Sequence, residues 1–160
     1  MTENKKPLFP TEDIKLPSKG LLYPEESPLS KGVVEMKYMT AKEEDILTNQ
    51  NFIENGTVID KVLQSLLMDN INLDDMLIGD KNAIIIAARI TGYGPEYKTK
   101  VTCPNCSSVS EYSFNLEDSK TLMNYSFLVE NGVEIKEDGV IDFELPKSKV
   151  NVTVRLLTGK

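Results

Sequence analysis

Five prolines in the first 32 residues constrain the fold of this chain more than any other feature. They stand at Pro7, Pro10, Pro17, Pro24 and Pro28, with Gly20 and Gly32 between them. Proline lacks an amide donor and its ring fixes φ, so this segment cannot form a long helix or a central strand. We therefore interpret residues 1 to 32 as an extended arm that precedes one domain, residues 33 to 160.

The arm is too apolar to be a freely solvated tail. Its apolar residues include Leu8, Phe9, Ile14, Leu16, Leu21, Leu22 and Tyr23. Such an arm lies either against its own domain or against a partner protein, because peptide-like arms of this kind serve as docking elements. Within it, Leu21, Leu22, Tyr23 and Pro24 are the candidate partner-binding residues.

Residues 40 to 92 have the pattern of a helical region with three helices. A capping box formed by Thr40 and Glu43 predicts that the first helix starts here and runs to about Asn49. Its first turn carries three acidic side chains, where the helix dipole favours negative charge. We therefore interpret these acidic residues as a helix start and not as metal ligands or catalytic acids.

Two further helices are predicted from apolar spacing. Thr57 is the predicted cap of the second, whose apolar residues repeat at helical intervals as far as Leu67. Asp80 is the predicted cap of the third, which runs from Lys81 to about Thr91. This third segment is apolar almost all round, so we expect it to be the central buried helix of the domain.

Residues 96 to 157 alternate in polarity as strands do, and Val33 to Met39 predicts one more strand before the helices. The predicted strands are Tyr97 to Cys103, Val109 to Asn115, Tyr125 to Glu130, Val133 to Lys136, Ile141 to Leu145, and Val150 to Leu156. A helical middle followed by an antiparallel β region defines an α+β fold class. The first two of these strands flank a Cys-Pro-Asn-Cys segment, which predicts a hairpin with both cysteines at its tip.

Cys103 and Cys106 are the candidate metal ligands. Two thiolates separated by two residues, with a proline turn between them, have the spacing of a zinc knuckle. Zinc requires four ligands, and the chain contains no other cysteine and no histidine. Three interpretations stay open: a metal-free ribbon tip, a zinc site completed by another chain, and a redox dithiol.

Composition argues against several classes of function. The formal charge of −7 and the scattered positions of the 18 basic residues argue against a nucleic-acid or anionic-membrane surface. The predicted hairpin offers no basic or aromatic face apart from Tyr97 and Lys98. The lack of histidine removes the usual general base, and no phosphate loop or hydrolase motif is present, so we predict that the chain is not an enzyme.

The N-terminus lacks the apolar core of a signal peptide, and the longest apolar helical run, Ala83 to Ala88, is too short to span a bilayer. We therefore expect a soluble protein made in a cytoplasm.

Several segments together resemble one family. They are Leu16-Pro-Ser-Lys-Gly-Leu-Leu-Tyr-Pro24, Gly32 to Thr40, Glu43 to Leu47, Gly92-Tyr-Gly94 and Cys103-Pro-Asn-Cys106. The chain is similar, from Leu16 to Lys160, to the baseplate proteins of T-even-type contractile-tailed bacteriophages, which are hub or hub-assembly components. Members tend to continue with a more helical segment, so this chain is either a short member or part of a longer molecule.

The resemblance implies a structural or assembly role that depends on protein-protein contacts. Its partners would be other phage baseplate or hub proteins, in the host cytoplasm during assembly and in the virion tail baseplate. The alternative function is a zinc-ribbon-like adaptor that binds nucleic acid or a polymerase. A third hypothesis, a cell-wall hydrolase, needs a paired acid or a histidine-bound metal, and the sequence identifies neither.

Overall fold

A computed structural model of the chain describes residues 9 to 118, 136 and 140 to 159. The strands predicted for residues 125 to 130 and 133 to 136 lie outside these ranges, apart from Lys136. The start of the arm, residues 1 to 8, also lies outside them.

Helices and antiparallel strand pairs follow one another along the described part of the chain. The α-helices are Ala41–Leu47 (α1), Gln50–Glu54 (α2), Val58–Leu66 (α3) and Ile78–Tyr93 (α4). The strands are Thr11–Lys15 (β1), Val33–Lys37 (β2), Glu96–Thr102 (β3), Val109–Asn115 (β4), Val140–Glu144 (β5) and Asn151–Arg155 (β6). Short 3-10 helices lie at Pro28–Lys31 and Leu116–Asp118. This arrangement confirms the predicted α+β class.

Part of the proline-rich arm is folded into the core. Strand β1 pairs antiparallel with β2, and Ile14 lies opposite Val34. Ile14, Leu16 and Leu29 from the arm are buried together with Val34 and Met36. This segment therefore packs on its own domain, whereas the division of the chain at residue 32 stays a prediction.

Two glycines close the loop between β1 and β2. The Leu16 amide donates to the Gly32 carbonyl across a distance of 2.9 Å. Gly20 and Gly32 have φ values of 78° and 69°, in the left-handed region that favours glycine. A Cβ on Gly20 would collide with the Ser30 carbonyl oxygen, and one on Gly32 would lie 2.6 Å from the Lys19 carbonyl oxygen. Both glycines are thus required by the close approach of the two halves of this loop.

The core lies between the β1–β2 sheet, α3 and the connector that leads to α4. Helix α3 buries one face, as its apolar spacing predicts, although Thr57 makes no side-chain capping bond. The short helix α2 was not predicted from the sequence, and the Asn49 side chain caps it by accepting from the Phe52 amide. The buried apolar residues are Ile14, Leu16, Leu29, Val34, Met36, Val62, Leu63, Leu66, Leu67, Ile71, Leu73, Met76, Ile84 and Ala88.

Helix α4 differs from its prediction in two respects. It begins at Ile78 and not at Lys81, so Asp80 lies inside its first turn and does not cap it. Of its residues, only Asp80, Ile84 and Ala88 are buried, because the core covers one face of the helix. The apolar pattern therefore overestimated the burial of α4, and the prediction of a central buried helix was wrong.

Gly94, with φ of 81°, ends α4. The Arg89 guanidinium donates to the carbonyls of Gly94 and Glu96, at 2.8 and 3.3 Å, and so joins the end of the helix to β3.

In the described ranges no helix combines the length and the hydrophobicity that a bilayer span requires.

Two antiparallel ribbons follow α4. Strands β3 and β4 pair from Glu96 opposite Asn115 to Thr102 opposite Val109, and residues 103 to 108 connect them. Strands β5 and β6 pair in the same manner. Every residue of β4, and every residue of β3 except Thr99, is exposed to solvent.

Glu43 is a fully buried carboxylate that joins β2, α1 and α3. It accepts from the Lys37 ammonium at 2.8 Å, from the Ser65 hydroxyl at 2.5 Å and from the Thr40 amide at 2.9 Å. The last bond belongs to the predicted capping box, which is confirmed. Burial alone would raise the pKa of Glu43, but the hydrogen bonds from Lys37, Ser65 and Thr40 together lower it to about 2.

We predict that acid removes the stabilisation due to Glu43. The pKa of Glu43 falls from 4.5 to about 2 on folding, so its contribution is complete above pH 4.5 and is lost as the pH falls toward 2. At neutral pH this contribution amounts to about 3 kcal/mol, at 1.36 kcal/mol per pKa unit. Denaturant unfolding of wild type and Glu43→Gln should therefore give free energies that differ at neutral pH and converge in acid.

The exposed Glu44→Gln variant is the matched control, because it removes the neighbouring carboxylate from the same helical turn. Its unfolding free energy should follow that of wild type at every pH. An equal difference between wild type and Glu43→Gln at neutral pH and at pH 2 would contradict this account.

Candidate docking groove and cysteine loop

A groove of about 680 Å³ lies between the arm, the connector before α4 and the C-terminal segment. One wall is formed by arm residues and the other by residues that follow β6. The lining residues are Leu22, Tyr23, Pro24, Ser27, Pro28, Leu29, Asn70, Ile71, Asn72, Asp75, Leu77, Arg155, Leu156, Leu157 and Thr158. We call this feature the docking groove.

The structure brings three of the four candidate partner-binding residues to the docking groove. Leu22, Tyr23 and Pro24 line it, whereas Leu21 does not and is 57% exposed. Leu22 and Tyr23 are half-buried and Pro24 is exposed. An occupant of the groove would therefore contact the arm through apolar side chains.

A buried hydrogen-bonded cluster holds the arm wall in place. The Asp80 carboxylate accepts from the Ser18 amide at 2.9 Å, from the Ser18 hydroxyl at 2.6 Å and from the Tyr23 hydroxyl at 2.6 Å. Ser18 and Asp80 are almost completely buried. We call Ser18, Tyr23 and Asp80 the clamp, because they fasten the arm to the first turn of α4.

Tyr23 belongs to both the clamp and the groove. Its hydroxyl donates to Asp80 and accepts from the Leu77 amide at 2.9 Å. Burial, followed by the hydrogen bond to Asp80, raises the pKa of the Tyr23 hydroxyl far above its usual range. The hydroxyl therefore remains a donor at physiological pH and is occupied internally, which leaves the ring as the part that faces the groove.

The opposite wall was not predicted from the sequence. The Ile78 amide donates to the Leu157 carbonyl, and the Gly159 amide donates to the Met76 carbonyl, both at 3.1 Å. These bonds hold the residues after β6 beside the start of α4 and leave Leu157 74% exposed. Alternating polarity predicted the last strand but carries no signal for this contact, which joins residues far apart in sequence.

The candidate metal ligands lie in the loop between β3 and β4. Both cysteines are free thiols; Cys103 is partly exposed and Cys106 is exposed. The Ser108 hydroxyl lies 3.1 Å from Cys106 Sγ, and this hydrogen bond is the largest of several that lower the pKa of the Cys106 thiol. Within residues 9 to 118, 136 and 140 to 159, no three or more Cys, His, Asp or Glu side chains are grouped so that they could hold a metal ion.

The β3–β4 ribbon has two unlike faces. On one face Lys98 lies 3.3 Å from Glu96, and Lys100 lies 3.5 Å from Glu111. The other face is apolar and carries Tyr97, Val101, Tyr112 and Phe114, all exposed by more than two-fifths. The prediction that the hairpin has no aromatic face apart from Tyr97 was therefore wrong. Strand alternation places Tyr112 and Phe114 on the same face as Tyr97.

The groove and the ribbon offer surfaces that can bind another molecule. The two buried acidic side chains, Glu43 and Asp80, are both engaged in internal hydrogen bonds. The groove offers apolar side chains, and the ribbon offers an apolar face that stays exposed among the described residues.

We predict that Tyr23→Phe destabilises the fold by about 1–3 kcal/mol, because it removes a donor to a buried carboxylate and an acceptor for the Leu77 amide. Urea unfolding monitored by circular dichroism measures this change. Tyr38→Phe, at an exposed tyrosine outside the clamp, should leave the unfolding free energy within about 0.5 kcal/mol of wild type. Equal effects of the two substitutions would contradict the role of the clamp.

Comparison with known proteins gives one match. A family model described as T4 bacteriophage base plate protein matches residues 14 to 156. No curated protein and no solved structure matches the chain. The matched span begins at Ile14 within β1 and ends at Leu156, so it includes the rest of the arm, the helices and both ribbons but stops before Leu157 and Thr158 of the groove. The match confirms the resemblance carried by the sequence motifs. The chain belongs to the T4 bacteriophage base plate protein family.

Proposed function

We propose that this baseplate protein acts in the hub region of a contractile phage tail, as a non-enzymatic structural or assembly component. Its partners are other baseplate or hub proteins, which it meets in the host cytoplasm during assembly. It acts through protein-protein contacts alone.

The observation that carries this proposal is the docking groove. Leu22 and Pro24 on one wall and Leu157 on the other present apolar surface to solvent, and the clamp fixes the arm wall beside α4. Preformed apolar surface binds a partner without the entropic cost of ordering a loop. The groove thus suits an apolar segment of another protein.

Two further features support protein binding over catalysis or nucleic-acid binding. Glu43 and Asp80, the buried acids, hold structural elements together and are not presented to a cleft. Lys98 and Lys100 lie beside glutamates on their own ribbon, and the chain as a whole is acidic, so a phosphate backbone would meet little net positive charge.

We predict that Leu22→Asp and Leu157→Asp each weaken binding to the hub protein that the groove receives by about tenfold or more. A charge on either wall would have to be desolvated against an apolar occupant. The measurement is isothermal titration calorimetry of the full chain with each purified hub protein of the same phage, after a native mass spectrometry screen for complexes.

The matched control is Ile53→Asp, which places the same charge at an exposed apolar position on α2, outside the groove. It should bind as wild type does. Leu21→Asp distinguishes binding in the groove from binding anywhere else along the arm, because Leu21 is exposed but does not line the groove. Full affinity in both groove variants, or no complex with any hub protein, would overturn the proposal.

A further inference from the structure

The loop that carries the two cysteines has a defined shape. The Cys103 amide donates to the Ser108 carbonyl, and the Ser107 amide donates to the Cys103 carbonyl, both at 2.9 Å. Ser107 adopts a left-handed conformation with φ of 57°, which is uncommon for a residue other than glycine. These constraints fold residues 103 to 108 into one closed turn with a thiol at either end of a two-residue spacing, as in a zinc knuckle.

The single chain supplies two thiolates and no more. It has no further cysteine and no histidine anywhere in its sequence. In the described ranges no carboxylate joins the cysteines in a group that could hold a metal ion. A structural zinc ion takes four ligands in tetrahedral geometry, so two must come from outside this turn.

We propose that two copies of this chain bind one zinc ion between their cysteine loops, each contributing the thiolates of Cys103 and Cys106. The four sulfurs complete a tetrahedral site across a two-fold axis, since identical loops present identical ligand pairs. Binding displaces the two thiol protons of each chain to solvent and changes no oxidation state. This inference does not rest on the proposed hub role.

The charge distribution favours a second copy as the source of the other ligands. Residues 96 to 115 contain two lysines and two glutamates, so the ribbon has no net charge although the whole chain carries −7. Two copies can therefore meet at the ribbon tip without local net charge to repel them, because repulsion from more distant charges is screened beyond about 10 Å at 0.1 M salt.

The apolar face of the ribbon gives the two copies a second contact. Tyr97, Val101, Tyr112 and Phe114 run along the strands toward the cysteine loop, and the Tyr112 and Phe114 rings lie 4.9 Å apart. An isolated two-stranded hairpin is at best marginally stable in water. Facing a second ribbon across the same axis would cover this surface on both chains.

The test is a zinc titration of the reduced, metal-free full chain, followed by native mass spectrometry and by light scattering after gel filtration. We expect a monomer without zinc and a dimer with one zinc ion per two chains. Cys103→Ser and Cys106→Ser should each abolish the zinc-dependent dimer and its bound metal. Asn105→Ser, which changes an exposed residue of the same loop that is not a ligand, should preserve both.

Other outcomes would overturn the proposal. One zinc per monomer would indicate a site within a single chain, and no bound zinc would indicate a metal-free tip. A dimer that forms without zinc, and also in the double serine variant, would indicate association through the apolar face alone. A dimer or monomer whose cysteines are joined by a reducible disulfide would indicate a dithiol. Circular dichroism of each variant distinguishes loss of metal binding from loss of folding.

Discussion

The carboxylate of Asp80 is the interaction on which the arrangement of arm and helix depends. It accepts hydrogen bonds from Ser18, which lies 62 positions earlier in the chain, and from Tyr23. In the described part of the chain no lysine or arginine forms an ion pair with it. Its charge is instead balanced by these donors and by the positive end of the α4 dipole, since Asp80 lies in the first turn of that helix.

Two buried carboxylates hold different elements of this small domain together. Glu43 joins the end of β2 to α1 and α3 and has the Lys37 ammonium as its partner. Asp80 joins the arm to α4, and through Tyr23 it also holds the Leu77 amide at the start of that helix. Fully satisfied polar clusters of this kind specify one packing arrangement, because any displaced partner would leave a buried charge without a donor. The arm wall of the docking groove owes its position to the second cluster.

Local signals predicted a large part of this fold. The capping box of Thr40 and Glu43, the alternation over 109 to 115 and the apolar spacing of α3 each involve neighbouring residues and were correct. The prediction that Asp80 caps α4 was wrong because the partners of Asp80, Ser18 and Tyr23, are far away in sequence. The burial of α4 was overestimated because an apolar composition does not reveal which faces other elements cover.

The candidate site was predicted only in part, for the same reason. Leu22, Tyr23 and Pro24 stand out in the sequence as apolar residues in a proline-rich arm, and the structure places them on one wall. The second wall, with Leu157, depends on backbone bonds to Met76 and Ile78 that no local pattern encodes. The alternation at 110, 112 and 114 could have predicted the aromatic face of the ribbon, but only the structure shows that this face is exposed.

The exposure of the β3–β4 ribbon has a consequence for how the folded state responds to binding. Neither strand contributes a residue to the buried apolar cluster of the described chain, so the ribbon can open while the core stays folded. A partner that covers the ribbon then stabilises it by mass action. The stabilisation is about 2.7 kcal/mol when the free concentration of the partner is a hundred times its dissociation constant. The folded population of the ribbon thus becomes a function of the concentration of its binding partner, while the core keeps a stability of its own.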